Sequence, residues 1–482
     1  MTEVAASELA GTTPAGTAPE VPTSPTTDAA TLTAVGTSEA GTTDASTSAA
    51  GTTDAGTAAA GSAAATCPVA HGTGRPEQSG GDAVEPEPAD FPLVRSCPFA
   101  PPPEYREYEQ ARAKLVELPS GQRAWVLAKY EDVRAMLNDP RFSSDRFNPG
   151  YPILFRDGAQ RRRTNLTPSL INLDPPVHGP ARREVVGEFT VKRMKALQPR
   201  IQEIVDTHLD AILAGNQPAD LVTALSLPVP SLVICEQLGV PYADHDFFQQ
   251  HSSMILNRDV KSDERADSVE ALQDYLSELV STKEAAPTDD LLGRQIEKKR
   301  EEGTYDHDDL VSLAFLLLIA GHETTANMIS LGTVALLRNL DQLALIKEDP
   351  GKTLDAVEEL LRYFTIAEFA TSRVAREDVE IAGVTIREGE GVLGLSHAAD
   401  FDETVFPEPD RIDITRGGRH HVAFGFGAHQ CLGQNLARME LQIVFDTLFR
   451  RIPTLRLAVP FEQLPFKHDS SIFGLHCLPV TW

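Results

Sequence analysis

Nowhere in the sequence do apolar residues run uninterrupted for anything near the ~18 positions that a membrane helix needs. The best run, Leu313 to Ala320, leads straight into Gly321-His322-Glu323, so no membrane association is expected. Met1-Thr2-Glu3-Val4 lacks the basic and apolar regions of a secretory signal, which points to a cytoplasmic protein. Basic residues are scarce: 43 Lys and Arg stand against 70 Asp and Glu, for a net charge of −27 over 482 residues. A duplex phosphate backbone is repelled by such a surface at long range, so nucleic acid is not an expected partner. Cys67, Cys97, Cys235, Cys431 and Cys477 form no C-x-x-C pair and no C-x-x-C-H site. Their odd number and wide spacing argue against a disulfide scaffold and against c-type heme.

Aromatic residues are missing altogether before Phe91. Residues 1–90 are built from Ala, Thr, Gly, Ser and Pro, with near-repeats such as Gly41-Thr42-Thr43-Asp44-Ala45 and Gly51-Thr52-Thr53-Asp54-Ala55 and a single basic residue, Arg75, against twelve acids. Such a segment cannot bury enough apolar surface to offset its ordering entropy, and a disordered tail is expected there. From 91 to 482 the chain reads as one mainly α-helical domain with small β-sheets. Helix-period apolar positions run through 181–214, 244–257, 265–283, 306–338, 341–348 and 352–364. Strand patterns occur at Ala124 to Leu127 and, late in the chain, at Arg373-Val374-Ala375, Val379-Glu380-Ile381, Val384-Thr385-Ile386 and Gly391-Val392-Leu393.

The segment Phe424-Gly425-Phe426-Gly427-Ala428-His429-Gln430-Cys431-Leu432-Gly433 holds three glycines in ten residues, and a helical run, Leu436 to Phe449, follows it. Glycines at that density mark a backbone that turns tightly or lies against a flat object. Cys431 therefore sits at a helix N-terminus, where amide N–H groups and the helix dipole favour the thiolate, the metal-ligating form. The decapeptide matches F-x-x-G-x-H-x-C-x-G, and from about Phe91 to Trp482 the chain resembles the cytochromes P-450, most closely the soluble actinomycete members. The resemblance implies the P-450 fold as a single heme domain, with a long distal helix and a proximal cysteine loop. It also implies heme b (iron protoporphyrin IX) as cofactor and Cys431 as the axial iron ligand, with Phe424, Gly425 and Gly433 shaping the loop.

Ala320-Gly321-His322-Glu323-Thr324-Thr325 lies inside the long helical stretch and matches the family's [A/G]-G-x-[D/E]-T on the distal helix. By that resemblance Ala320 and Gly321 lie over the heme and the helix opens locally, while Glu323 and Thr324 are the catalytic acid–alcohol pair that relays protons from solvent. His178, Arg182, Arg373 and His429 match the family's propionate partners, since buried carboxylates need hydrogen bonds or counter-charges. Glu359-Leu360-Leu361-Arg362 is an i, i+3 pair that the family joins to a later arginine, here Arg411, in a structural ion network. Two departures stand out. Pro180, just after His178, suggests a later helix start and a weaker His178 contact; Asp400-Phe401-Asp402 replaces a usual Asn-Arg-Asp.

The implied activity is hydroxylation or epoxidation of a lipophilic small molecule, such as a macrolide, polyketide, terpenoid, steroid or xenobiotic. It uses O2 and two electrons from a ferredoxin and its NAD(P)H-dependent reductase, and the enzyme is expected to be a monomer. A nitric-oxide reductase or a peroxygenase of the same fold is the alternative, but those relatives lack the acid–alcohol pair that Glu323-Thr324 supplies. The substrate pocket is expected from the 145–167 loop, the 228–258 region, the distal helix before Gly321, Thr365 to Phe369, and Ser470 to Phe473; Glu368 is either a polar anchor or surface. Arg183, Lys192, Arg193 and Arg438 are the basic residues expected to meet the electron donor.

Overall fold

In the computed structural model the described residues are 91–154 and 169–482; the expected tail at 1–90 and residues 155–167 of the expected pocket loop lie outside them. The longest helix, His307–Arg338, starts at Asp306, whose carboxylate accepts from the Asp309 N–H at 2.9 Å, a side-chain cap. It is apolar on nearly every face, which marks a helix enclosed by protein. Among the described residues it is the single helix long and apolar enough to cross a membrane, but most of that stretch is buried within the molecule. Ile234 from Pro228–Leu238 and Phe445 from Gln434–Arg451 reach its glycines. A second apolar cluster joins its first half to Leu272, Leu276 and Val280 of Ser262–Ala285.

Five short strands form the main sheet, in the order Ala113–Glu117, Arg123–Leu127, Gly391–Gly394, Arg373–Ala375, Phe142–Ser143. Arg123–Leu127 runs parallel to Gly391–Gly394 with Trp125 opposite Val392, and Arg373 faces Val392 from the antiparallel side. This register sets Arg373, remote in sequence from the hairpin, in an interior strand within electrostatic range of Asp174 and His429. Val379–Ile381 and Val384–Ile386 pair through Ala382 and Gly383, both at positive φ, the geometry of a two-residue hairpin turn.

Several boundaries differ from the sequence expectations. The helix expected over 181–214 is two, His178–Val186 and Val191–Ala214, separated by a 3-10 turn at Gly187–Phe189; the Thr190 hydroxyl accepts from the Arg193 N–H and restarts the helix. Pro180 does not delay the first helix. It occupies the first turn, where the missing N–H would have had no partner, so the helix begins at His178 itself. Two helices had not been expected as such. Pro228–Leu238 carries its prolines in the first turn, and Leu291–Glu302 is charge-rich and is capped by Asp290 accepting from the Gly293 N–H. Among the described residues, Cys235, Cys431 and Cys477 are free thiols.

Candidate functional site

The loop before Gln434–Arg451 is shaped by its glycines. Gly425 and Gly427 have φ of 68° and 72°, and a Cβ on Gly427 would lie 2.7 Å from the Leu137 carbonyl oxygen. The Cys431 N–H donates to the Phe424 carbonyl at 2.8 Å and closes the loop, with Gly433 as the helix N-cap. Burial pushes the Cys431 thiol above its ordinary value, against the Gly433 and Gln434 N–H groups and the Arg182 and Arg438 guanidiniums, which favour the thiolate. The helix terminus thus favours the thiolate as expected of its amides, and burial opposes it; a bound cation would favour the charged form further.

His178, Arg182, Arg373 and His429 come together around this loop. The His178 and His429 rings lie 4.0 Å apart, His429 Nε2 is 3.1 Å from the Ser144 hydroxyl, and Arg182 donates to the Gln430 carbonyl at 2.5 Å. Burial first, then Arg373 and His178, hold the His429 imidazole down to about 3, so it is neutral. His178 is buried with Nε2 unpartnered. Arg373 is buried too, donates to the Ser372 carbonyl at 2.7 Å, and has no carboxylate in ion-pair range among the described residues. An orphaned imidazole nitrogen beside the buried Arg373 and half-buried Arg182 guanidiniums is a donor set short of its acceptors. The two propionates of a heme b would supply the missing charge, so the residues fit the cofactor. The His178 contact that Pro180 had put in doubt is available.

On the long helix, Gly321 packs against Ile234, 3.3 Å from where its Cβ would lie. The Thr324 hydroxyl donates to the Ala320 carbonyl at 2.7 Å, but the helix is continuous through His307–Arg338, so the local opening expected there is absent. The hydroxyl adds a bond to the carbonyl without taking one from the ladder. Glu323 is buried, accepts from Asn327 Nδ2 at 3.1 Å, and pairs with Lys467 Nζ at 3.1 Å. Burial works to raise this carboxyl, but Lys467, His322 and the hydrogen bonds prevail and keep it below its ordinary value. Sequence reasoning missed Lys467, which is 144 positions away and carries no motif.

Glu359 and Arg362 are fully buried and paired twice at 2.8 Å. The third member is a correction. Arg416, not Arg411, reaches Glu359 at 3.2 Å, while the Arg411 side chain is exposed and faces Glu408 at 3.6 Å. Arg411 contributes its carbonyl, which accepts from Arg416 and Arg362. Phe401 is buried and lies under the Arg362 guanidinium, 5.4 Å from Cζ to ring centroid, and Asp400 accepts from the Val422 N–H and the Thr365 hydroxyl. Arg438 is not a free surface cation either: it is bound to Glu358 at 2.6 and 3.0 Å, beside His421. Glu368 is buried, not surface.

The family model Cytochrome P450 matches residues 352–476. Pentalenic acid synthase of Streptomyces avermitilis is 49% identical over 398 residues, covering 82% of this chain and 98% of that protein. The crystal structure of cytochrome P450 MoxA from Nonomuraea recticatena is similar at 58% identity and a TM-score of 0.76, covering 82% of this chain and 98% of the other. Mycinamicin VIII C21 methyl hydroxylase from Micromonospora griseorubida, solved bound to mycinamicin VIII, is 40% identical with a TM-score of 0.76, covering 81% and 99%. At such identities over four-fifths of its length, the chain belongs to the cytochrome P450 family and is a heme b-dependent monooxygenase.

Proposed function

We propose that the enzyme hydroxylates or epoxidises a bulky lipophilic natural product, drawing two electrons from a ferredoxin and its NAD(P)H-dependent reductase. A pentalenic acid synthase and a mycinamicin hydroxylase among the relatives support that substrate range. Heme b, when bound, supplies the activation of O2. Cys431 would hold its iron, and His178, Arg182, Arg373 and His429 would hold its propionates. The chain's own contribution is proton handling. Glu323 lies on the same buried helix as Thr324, and Lys467 and Asn327 keep its carboxylate ionised and oriented. An ionised acid next to a hydroxyl can accept a proton from solvent and pass it on without a base touching substrate. The buried, ionised Glu323 directly preceding Thr324 on this helix is the observation that carries the reading.

Thr324→Ala tests it. Substrate binding and nicotinamide oxidation should persist while product per nicotinamide falls several-fold and hydrogen peroxide rises. Wild-type product yield in the variant would remove the relay role.

A further inference from the structure

Near the start of the described chain, a cavity of about 40 Å3 lies between the 93–95 segment and the 467–473 turn. That is room for a carboxylate group or about three waters, not for a ring system. Ile366 and Phe473 give it an apolar side; Arg95, Arg258 and Glu368 give it a polar one.

Its charges do not balance. Arg95 is buried, donates to the Phe364 carbonyl at 3.3 Å, and stacks 4.2 Å from the Phe473 ring centroid. Arg258 is half-buried and donates to the His468 carbonyl at 2.6 Å. Neither guanidinium has a carboxylate in ion-pair range among the described residues; burial works against the charged form of both, and Arg258 adds to that at Arg95, while Asp259 and Asp469 favour the charged Arg258 from a distance. Lys467 also lines the cavity, but Glu323 neutralises it. Asp259 and Asp469 act on Arg258 from outside the cavity, and Glu368 is the one acid that lines the cavity itself. Its Oε2 accepts from the Tyr105 hydroxyl at 3.4 Å, and its Oε1 has no partner. Burial pushes this carboxyl up to about 7, so near neutrality it is only partly charged. Buried cations without a counter-ion are costly and call for an anion.

Resting on the monooxygenase reading above, we propose that this cavity is a seat for the carboxylate of an amphipathic substrate, with Arg95 and Arg258 as the anion-binding donors. The unpartnered Oε1 of Glu368, in its protonated form, provides a further donor. Lys467 ties the cavity wall to Glu323 on the distal helix, so the seat lies on the substrate side. A molecule anchored by its acid end presents a fixed part of its apolar body to oxidation, which makes Arg95 and Arg258 specificity-determining residues.

The test uses the heme-loaded enzyme and two probe pairs, dodecanoate and abietate, each with its methyl ester. Affinities are read by the shift of the heme Soret band and, independently, by equilibrium dialysis. At least one acid should bind about 10-fold more tightly than its ester, the worth of a charge-assisted hydrogen bond. Arg95→Gln and Arg258→Gln should erase that preference while leaving ester affinity within about 2-fold. Arg95→Lys should keep part of the preference, which guards against a variant that merely misfolds. Arg387→Gln, which removes an exposed ion pair with Asp378, should change nothing. Equal affinity for acid and ester, failure of both acids to bind, or an equal loss for acid and ester in the glutamine variants would overturn the seat. In the first and last of these outcomes the enzyme still binds lipophiles, so the proposed function survives; that reading stands or falls on product formation and the Thr324→Ala result.

Discussion

Arg416 Nε lies 3.2 Å from Glu359 Oε1 and completes the buried cluster that Arg362 begins. A buried carboxylate with two guanidiniums on it loses stability when one is removed, because desolvation is then less well compensated. Arg416→Met should lower unfolding stability by about 2 kcal/mol, the worth of a hydrogen bond to a charged group. Arg411→Met should change it by less than ~0.5 kcal/mol, since its contribution is a backbone carbonyl that any residue supplies. Denaturant titrations followed by heme absorbance compare the two, and equal losses would return Arg411 to the network.

Glu440 is buried in Gln434–Arg451 with Oε2 unpartnered, and burial alone pushes its carboxyl up to about 8. The folded state therefore holds a proton that the unfolded chain releases near 4.5. Where the native state binds the extra proton, stability falls as pH rises, here across the interval from about 4.5 to 8. Glu440→Gln removes that loss. Its thermal midpoint should exceed the wild type's by about 2–4 °C at pH 8.5 and match it near pH 5. A constant offset at both pH values would mean that packing, not ionisation, sets the difference.

These two residues also show what a sequence can and cannot disclose. Cys431, His429, Glu323 and Thr324 can be singled out from sequence because each sits in a short motif whose spacing the fold uses locally. Arg411 was mistaken for Arg416 because both lie in one irregular segment where neither helix nor strand period says which side chain turns inward. The turn is set by Glu408 at a φ of 50° and by Asp413, whose N–H donates to Glu359. The strands at 373–375, 379–381 and 384–386 were placed to the residue, since alternating branched residues bounded by Gly and charge leave little freedom. Leu291–Glu302 escaped notice because its buried apolar residues, Leu291, Leu292 and Ile296, are confined to the first half and the charged second half reveals no period. Lys467 was invisible because long-range pairs leave no local trace.

Lys467 nonetheless controls Glu323. Burial would raise that carboxyl, but the ammonium and its neighbours hold it below its ordinary value. The stability linked to a lowered acid is present above the unfolded value and lost as pH falls through the folded one. Lys467→Met should cost about 3 kcal/mol at pH 7, the lower end for breaking a buried pair, and progressively less toward pH 4. Product per nicotinamide should fall as well, because Glu323 then carries a proton at neutral pH. Unchanged coupling together with unchanged stability would show that Asn327 alone suffices.

Electron delivery makes the last demand on the surface. Arg183 and Lys192 are exposed on His178–Val186 and Val191–Ala214. The first of these helices is fastened to the cysteine loop by Arg182 on Gln430, and Asn435 donates to the Phe189 carbonyl between them. Val177, Val186 and Val191 are exposed on the same segment, so apolar contact and positive charge coincide there. An acidic ferredoxin cannot be steered by a chain of net charge −27 as a whole, only by such a local patch. Arg438 no longer belongs in that patch. It is committed to Glu358, which it and His421 pull down to about 2 in spite of burial, and Arg438→Glu would disrupt that cluster before it changed docking. Reversing Arg183 and Lys192 to Glu together should slow reduction by ferredoxin about 5-fold or more at low ionic strength and flatten its salt dependence. Substrate affinity should stay the same. Stopped-flow rates at several salt concentrations decide the matter: a double variant reduced as fast as the wild type would place the donor on another face.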